Sequence, residues 1–221
     1  MKPNNKAGIP TPIAGFFDWM YSNMPVMPTT LEALKKKQIT LADYLLMPEL
    51  HHPYEIIDGE MVPSLAPIPA HQIIGANIFI PLTQYVKAKE LGVVLFAPVD
   101  IILQRDPLRT RQPDVLFIRK DKLPGTSLDD LEGLQLLEIT PDLVIEVLSP
   151  SDTQKVLAGK LTDYQRIGVK ECWLVGRETR SVEVLRLSAE KFERVGLYGL
   201  GETVRSEAII DFRLNVDTIF G

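Results

Sequence analysis

Three residues of this chain carry the chemistry most worth pursuing: Asp114, Glu146 and Lys160. Glu146 sits in Leu143-Val144-Ile145-Glu146-Val147-Leu148, a run that is otherwise wholly apolar. Such a run reads as a strand buried on both faces, and strand alternation puts Glu146 on one face with Val144 and Leu148. An isolated carboxylate there would cost several kcal/mol or be forced neutral. It therefore needs a partner: an arginine, a lysine or a metal ion. A salt bridge at a strand end would meet that need as well as a cation would. Asp114 follows Pro113 and opens a second apolar strand, Val115-Leu116-Phe117-Ile118. Taken alone, an acid in that position reads as a turn residue. Two acids on neighbouring strands can converge, however, and hard cations such as Mg²⁺ favour one or two carboxylates together with water and substrate phosphate. In the helix that follows Glu146, Val156, Lys160 and Tyr164 recur at intervals of four, which sets Lys160 beside the apolar face. Its ammonium either snorkels to water or turns back toward the acids.

Three further polar residues belong with this set. His71 leads the apolar stripe Ile74, Ile78, Leu82, Tyr85 of a helix, as a capping or core histidine or as one near the reacting groups. Glu55 and Glu60 flank Asp58-Gly59. Because strand faces alternate, at least one of these glutamates can point inward, and the other suits a solvated hairpin edge.

The elements that must position these residues follow from periodicity and breakers. Residues 40–46 read as a short helix capped by Thr40 and stopped before Pro48. Residues 54–62 read as a hairpin, with Asp58-Gly59 as the turn. A helix spans 71–89, and Pro81 is expected to kink or split it. Strands follow at 93–96, 100–103, 114–118 and 143–148, then a helix at about 153–167 ended by Gly168. Residues 172–175, 181–187, 192–198 and 203–205 complete the strands, and Gly196, Gly199 and Gly201 mark turns. The pattern is a mixed α/β domain with helices flanking a sheet. Residues 1–37 read as an N-terminal extension: Pro3, Pro10, Pro12, Pro25 and Pro28 exclude long regular elements, while Phe16, Phe17, Trp19, Met20 and Tyr21 make either a docked arm or a tail.

Composition narrows the classes. The chain has 221 residues, 45% of them hydrophobic, enough for one domain with a real core. Its net charge of −5 argues against non-specific coating of nucleic acid, although local patches outweigh the total. Cys172 is the one cysteine, so an internal disulfide and a cysteine-rich zinc site are both excluded. A reducing, cytoplasmic setting fits this cysteine usage. No apolar run reaches the roughly 18–20 residues needed to span a bilayer.

At these residues the sequence resembles a bacterial restriction-endonuclease family within the PD-(D/E)XK nuclease superfamily. The matching pieces are Tyr54-Glu55-Ile56-Ile57-Asp58-Gly59-Glu60, His71, Pro113-Asp114-Val115, and the stretch from Pro141-Asp142 through Glu146 to Ser149-Pro150-Ser151. They continue with Lys160, Tyr164, Gly168-Val169, Trp173-Leu174-Val175 and residues 212–220. The resemblance covers residues 38–221 and implies a restriction-endonuclease-like core, a central mixed β-sheet flanked by helices. It further implies a metal-dependent endonuclease that hydrolyses DNA phosphodiesters. Asp114, Glu146 and the Val147 carbonyl would bind Mg²⁺ or Mn²⁺, and Lys160 would support the attacking water. His71, Glu55, Glu60 and Tyr164 would act as supporting groups. A homodimer suits a duplex substrate. The superfamily's lysine stands two residues after the second acid, where this chain has Leu148; the family likeness transfers that role to Lys160. Gly176 stands where the family more often has an acid. Arg105, Arg109, Arg111, Lys120 and Lys122 form either a phosphate-contacting stretch or a solvated loop. The alternative to an endonuclease is a catalytically inactive nucleic-acid-binding or regulatory homo-oligomer on the same fold.

Overall fold

The computed structural model describes residues 38–47, 54–64, 66–132, 137–150, 152–189 and 191–221. The expected N-terminal extension, 1–37, lies outside the described residues.

Thr40 caps the short helix α1 (Leu41–Leu45) through a reciprocal capping box with Asp43. The hairpin β1 (Tyr54–Ile57) and β2 (Glu60–Pro63) turns at Asp58 and Gly59, both at positive φ, as a two-residue primed turn requires. Helix α2 (Pro69–Ala88) begins two residues before the expected start, with Pro69 in its first turn, where the missing N–H costs nothing. It runs as one element through Pro81, so the expected split does not occur. Ile78 and Leu82, fully buried on either side of the proline, hold the helix to the core.

Strands β3 (Gly92–Phe96), β4 (Ile101–Arg105), β5 (Leu108–Arg111) and β6 (Val115–Arg119) follow, then α3 (Leu128–Glu132) and β7 (Leu143–Leu148). Helix α4 (Gln154–Ile167) is capped by Thr153 and closed by Gly168 in the left-handed conformation. Strands β8 (Glu171–Gly176), β9 (Ser181–Ser188), β10 (Lys191–Tyr198), β11 (Thr203–Arg205) and β12 (Arg213–Asn215) precede the final helix α5 (Val216–Phe220). Strands β5 and β12 and helices α3 and α5 were not foreseen from the sequence. β4 pairs with β5, so part of the basic stretch is a strand rather than a loop.

The central sheet has six strands in the order β10-β9-β8-β7-β6-β3. β7 and β8 are parallel and joined through α4, and the other pairs are antiparallel. Alternation divides the core. Val115, Phe117, Leu143, Ile145 and Trp173 face α2 and the C-terminal segment. Leu116, Ile118, Val144, Cys172 and Leu174 face α4 through Tyr164. Glu146 belongs by parity to the α4 side, on the face it was expected to share with Val144 and Leu148.

Candidate active site

The ladder between β6 and β7 pairs Val115 with Ile145, Leu116 with Val144 and Phe117 with Leu143. Continued one step past its last rung, that register would set Asp114 against Glu146. Cross-strand neighbours in an antiparallel pair bring their side chains together, and the Asp114 charge acts on Glu146. Asp114 accepts the Val147 N–H at 2.7 Å through Oδ2. That bond fixes the carboxylate where regular pairing ends.

Glu146 is 3% exposed. One carboxylate oxygen receives Lys160 Nζ at 2.6 Å, and the other receives the Tyr164 hydroxyl. Lys160 and Tyr164 lie one turn apart on α4, so a single helical face presents both donors. Burial pushes the Glu146 carboxyl above its ordinary range; Lys160 pulls it back and Asp114 adds to the rise. Burial works against the Lys160 charge as well, but Glu146, Asp152 and Glu55 outweigh it and raise the ammonium pKa. Burial first, then Glu146, hold the Tyr164 phenol well above its usual value, so its hydroxyl stays a donor.

His71, in the first turn of α2, donates from Nε2 to the Val147 carbonyl at 2.9 Å and lies 3.4 Å from Asp114 Oδ2. The Asp114 contact is the main reason that its pKa is raised, against the opposing effect of burial. The structure therefore gathers Asp114, Glu146, Val147, Lys160, Tyr164 and His71. Glu55 is buried on β1, where Arg111 donates to it at 2.5 Å, and its charge reaches Lys160 and Tyr164. Glu60 is exposed at the start of β2, and no hydrogen bond joins it to the cluster among the described residues. Of the two glutamates, Glu55 is the inward one.

Two features were missed from the sequence. Asp152 accepts the backbone N–H and the hydroxyl of Ser149 at 2.9 and 2.7 Å and lies 3.6 Å from Lys160 Nζ. The Ser-x-x-Asp spacing is a signal that could have found it. The second is a buried ion network. Asp163 takes Arg109 Nε at 2.7 Å and Arg111 Nε at 2.8 Å. Arg111 continues to Glu55 and Arg109 to Asp58, the latter at 2.9 Å. The network ties the β1–β2 hairpin and β5 to the helix that carries Lys160. Arg105, Lys120 and Lys122 pair with Glu138, Glu90 and Asp142, so each of the five basic residues of that stretch has an acidic partner within the chain.

Among the described residues no group of three or more His, Cys, Asp or Glu side chains is arranged to hold a metal ion. The candidate donors are instead two carboxylates and the Val147 carbonyl, an all-oxygen set of the type that Mg²⁺ and Mn²⁺ prefer. Among the described residues both contacts of Asp114 use Oδ2, which leaves Oδ1 outside them. The donor chemistry thus fits a hard divalent cation.

A mixed sheet with opposed acids at the fork of two strands, and a lysine delivered from the crossover helix, is a restriction-endonuclease-like domain. The chain belongs to the Uma2 family, described as "Putative restriction endonuclease", whose model matches residues 41–217. Among solved structures, the chain is similar to a crystal structure described as a putative nuclease from Anabaena variabilis, with a TM-score of 0.67 and 20% identity over 82% of this chain and 97% of that one. At that identity the likeness shows the fold. No curated protein matches the chain. Among the described residues no helix is long and apolar enough to cross a membrane.

Proposed function

We propose that this chain is a metal-dependent endonuclease that hydrolyses DNA phosphodiester bonds, working as a cytoplasmic homodimer. The observation that carries the reading is Lys160 Nζ 2.6 Å from the buried Glu146 carboxylate, beside Asp114, which accepts the neighbouring Val147 N–H. Membership of a family described as restriction endonucleases supports it. Asp114 and Glu146, with the Val147 carbonyl, would hold Mg²⁺ or Mn²⁺. When bound, the cation supplies Lewis acidity to a phosphate oxygen and lowers the pKa of the attacking water.

The chain's own residues do the rest. Lys160 orients the water and stabilises charge that develops on the phosphate. Tyr164 holds the second Glu146 oxygen and fixes the plane of the carboxylate. His71 anchors the Val147 carbonyl and so sets the direction of its lone pairs. Glu55 supports Lys160 electrostatically and, through Arg111 and Asp163, mechanically. The test combines two measurements: Mn²⁺ binding by titration calorimetry, and Mg²⁺-dependent cleavage of supercoiled, linear and branched DNA. Asp114→Asn and Glu146→Gln are expected to lose both. Unchanged cleavage in these variants refutes the assignment.

One observation favours a second reading. Both oxygens of Glu146 already have protein donors, Lys160 and Tyr164, as in a closed structural ion pair. A domain of that kind would bind nucleic acid or regulate without turnover. DNA binding with neither Mn²⁺ binding nor cleavage selects this reading over the first.

A further inference from the structure

Lys160 stands between two carboxylates. Its Nζ donates to Glu146 Oε2 at 2.6 Å and lies 3.6 Å from Asp152 Oδ1. The second distance is too long for a hydrogen bond. Asp152 is held on its other side. Its Oδ2 accepts the Ser149 N–H and hydroxyl, and its own N–H returns to the Ser149 carbonyl at 3.0 Å. Oδ1 is left on the side of Lys160, and among the described residues no hydrogen bond reaches it. Asp152 directly precedes Thr153, the cap of α4, so this acceptor and the lysine ride on one element. Both side chains are mostly buried, 15% exposed for Lys160 and 16% for Asp152.

A divalent cation on Glu146 conflicts with the present partner of Lys160. It would set the ion and the ammonium on one carboxylate, where like charges repel. An ammonium displaced from Glu146 at this burial needs another acceptor. The acids whose charge raises the Lys160 pKa are Glu146, Asp152 and Glu55. Glu55 is already engaged by Arg111 at 2.5 Å and by the Gln112 N–H at 3.3 Å. Asp114 would itself be a ligand of the ion. Asp152 Oδ1 remains. A shift of about 1 Å brings Nζ within charge-assisted hydrogen-bond distance of it. The flexible lysine stem can make that move while the helix stays in place.

We infer that Asp152 is a positioning residue of this site, the acceptor that takes over the Lys160 ammonium when a divalent cation occupies Glu146. Lys160 thus has two acceptors, Glu146 without a cation and Asp152 with one. On Asp152 the ammonium stays beside the ion and keeps donors for water or phosphate. The exchange also frees Glu146 Oε2 for the ion at little cost, because the lysine gives up one carboxylate only to meet another. The inference rests on the metal-binding part of the proposed function and adds to it a residue that acts through Lys160.

The test is calorimetric titration of the full-length chain with Mn²⁺. Asp152→Asn keeps an oxygen for Ser149 and loses the charge. Without metal its thermal midpoint should stay within about 2 °C of wild type, because Lys160 is then on Glu146. Its Mn²⁺ affinity should fall about tenfold. In a Lys160→Met background, checked for folding by circular dichroism, the same substitution should change the affinity less than about twofold. The ¹⁵N ammonium resonance of Lys160 gives a second readout that needs no lysine variant. With saturating Mg²⁺ it should stay protected from water exchange in wild type and lose that protection in Asp152→Asn. Three outcomes overturn the proposal and leave the metal assignment standing: unchanged Mn²⁺ affinity in Asp152→Asn, an equal loss in the Lys160→Met background, which would make Asp152 a ligand of the ion, or a protected Lys160 ammonium in Mg²⁺-loaded Asp152→Asn. A wild-type chain that binds no Mn²⁺ overturns both.

Discussion

Replacing Asp163 by asparagine is the most informative single perturbation of the scaffold. Asp163 is 3% exposed and bonds two arginine Nε–H groups at 2.7 and 2.8 Å. Removing one member of a buried ion pair costs about 3–5 kcal/mol, because the remaining charge is left without compensation. Here each arginine keeps a second acid. Arg111 retains the buried Glu55 at 2.5 Å, and Arg109 retains Asp58, whose side chain is 64% exposed. Arg111 is therefore well compensated and Arg109 poorly, which brings the expected loss to about 2–4 kcal/mol. For a domain of this size, where each kcal/mol moves Tm by about 2–4 °C, that is a fall of roughly 4–16 °C. Thermal unfolding followed by circular dichroism measures it, with urea unfolding as an independent check. Asp58→Asn, which removes only the exposed partner, should cost less than about 1 kcal/mol. Equal shifts in the two variants, or a shift below about 2 °C for Asp163→Asn, would refute the view that this network clamps α4 in place.

Three further outcomes are expected. Lys160→Met leaves Glu146 buried beside Asp114 without its cation and should destabilise the fold by about 3–5 kcal/mol, while Glu146→Leu combined with Lys160→Met should recover much of that in urea titrations. Gly168→Ala should cost about 1–2 kcal/mol by the same measurement. Gly168 has φ of 82° and nothing within 4 Å of an added Cβ, so the cost is backbone strain alone. Glu171→Gln should cost more at pH 4 than at pH 7. Burial raises the Glu171 carboxyl against the N–H groups of Ala208, Trp173 and Glu207 that bond it. A raised carboxyl stabilises the fold below the unfolded pKa, and that contribution is lost as pH rises through the folded value, so the wild type loses its advantage over the glutamine variant on the way to neutrality.

Glu146 was legible in the sequence because a carboxylate inside an otherwise apolar run needs a partner, and Lys160 supplies it. Asp114 was legible as its neighbour, and the cap and turn chemistry of Thr40, Asp58-Gly59 and Gly168 placed three boundaries. Lys160 needed two pieces of information, helical spacing and family likeness, because on spacing alone a snorkelling lysine looks the same. β5 was missed because its arginines read as a basic loop; they face inward because Asp163 and Glu55 meet them from elements some fifty residues away in the chain. Long-range charge pairing leaves no local periodicity. Pro81 was expected to kink or split its helix; the helix is continuous through it, with Ile78 and Leu82 buried on either side.

The sheet order has a consequence for how the molecule assembles itself. From β6 to β10 each strand lies beside its successor in the chain, and Asp114, Glu146, Lys160 and Tyr164 all fall within the stretch β6–β7–α4. Each pairing joins elements adjacent in chain order, Val115 with Ile145 and Leu143 with Glu171. The acids, the lysine and the tyrosine are thus carried on one contiguous cassette whose amides should be among the last to exchange with solvent deuterium. His71 and the β1–β2 hairpin come from outside that cassette, from earlier in the chain.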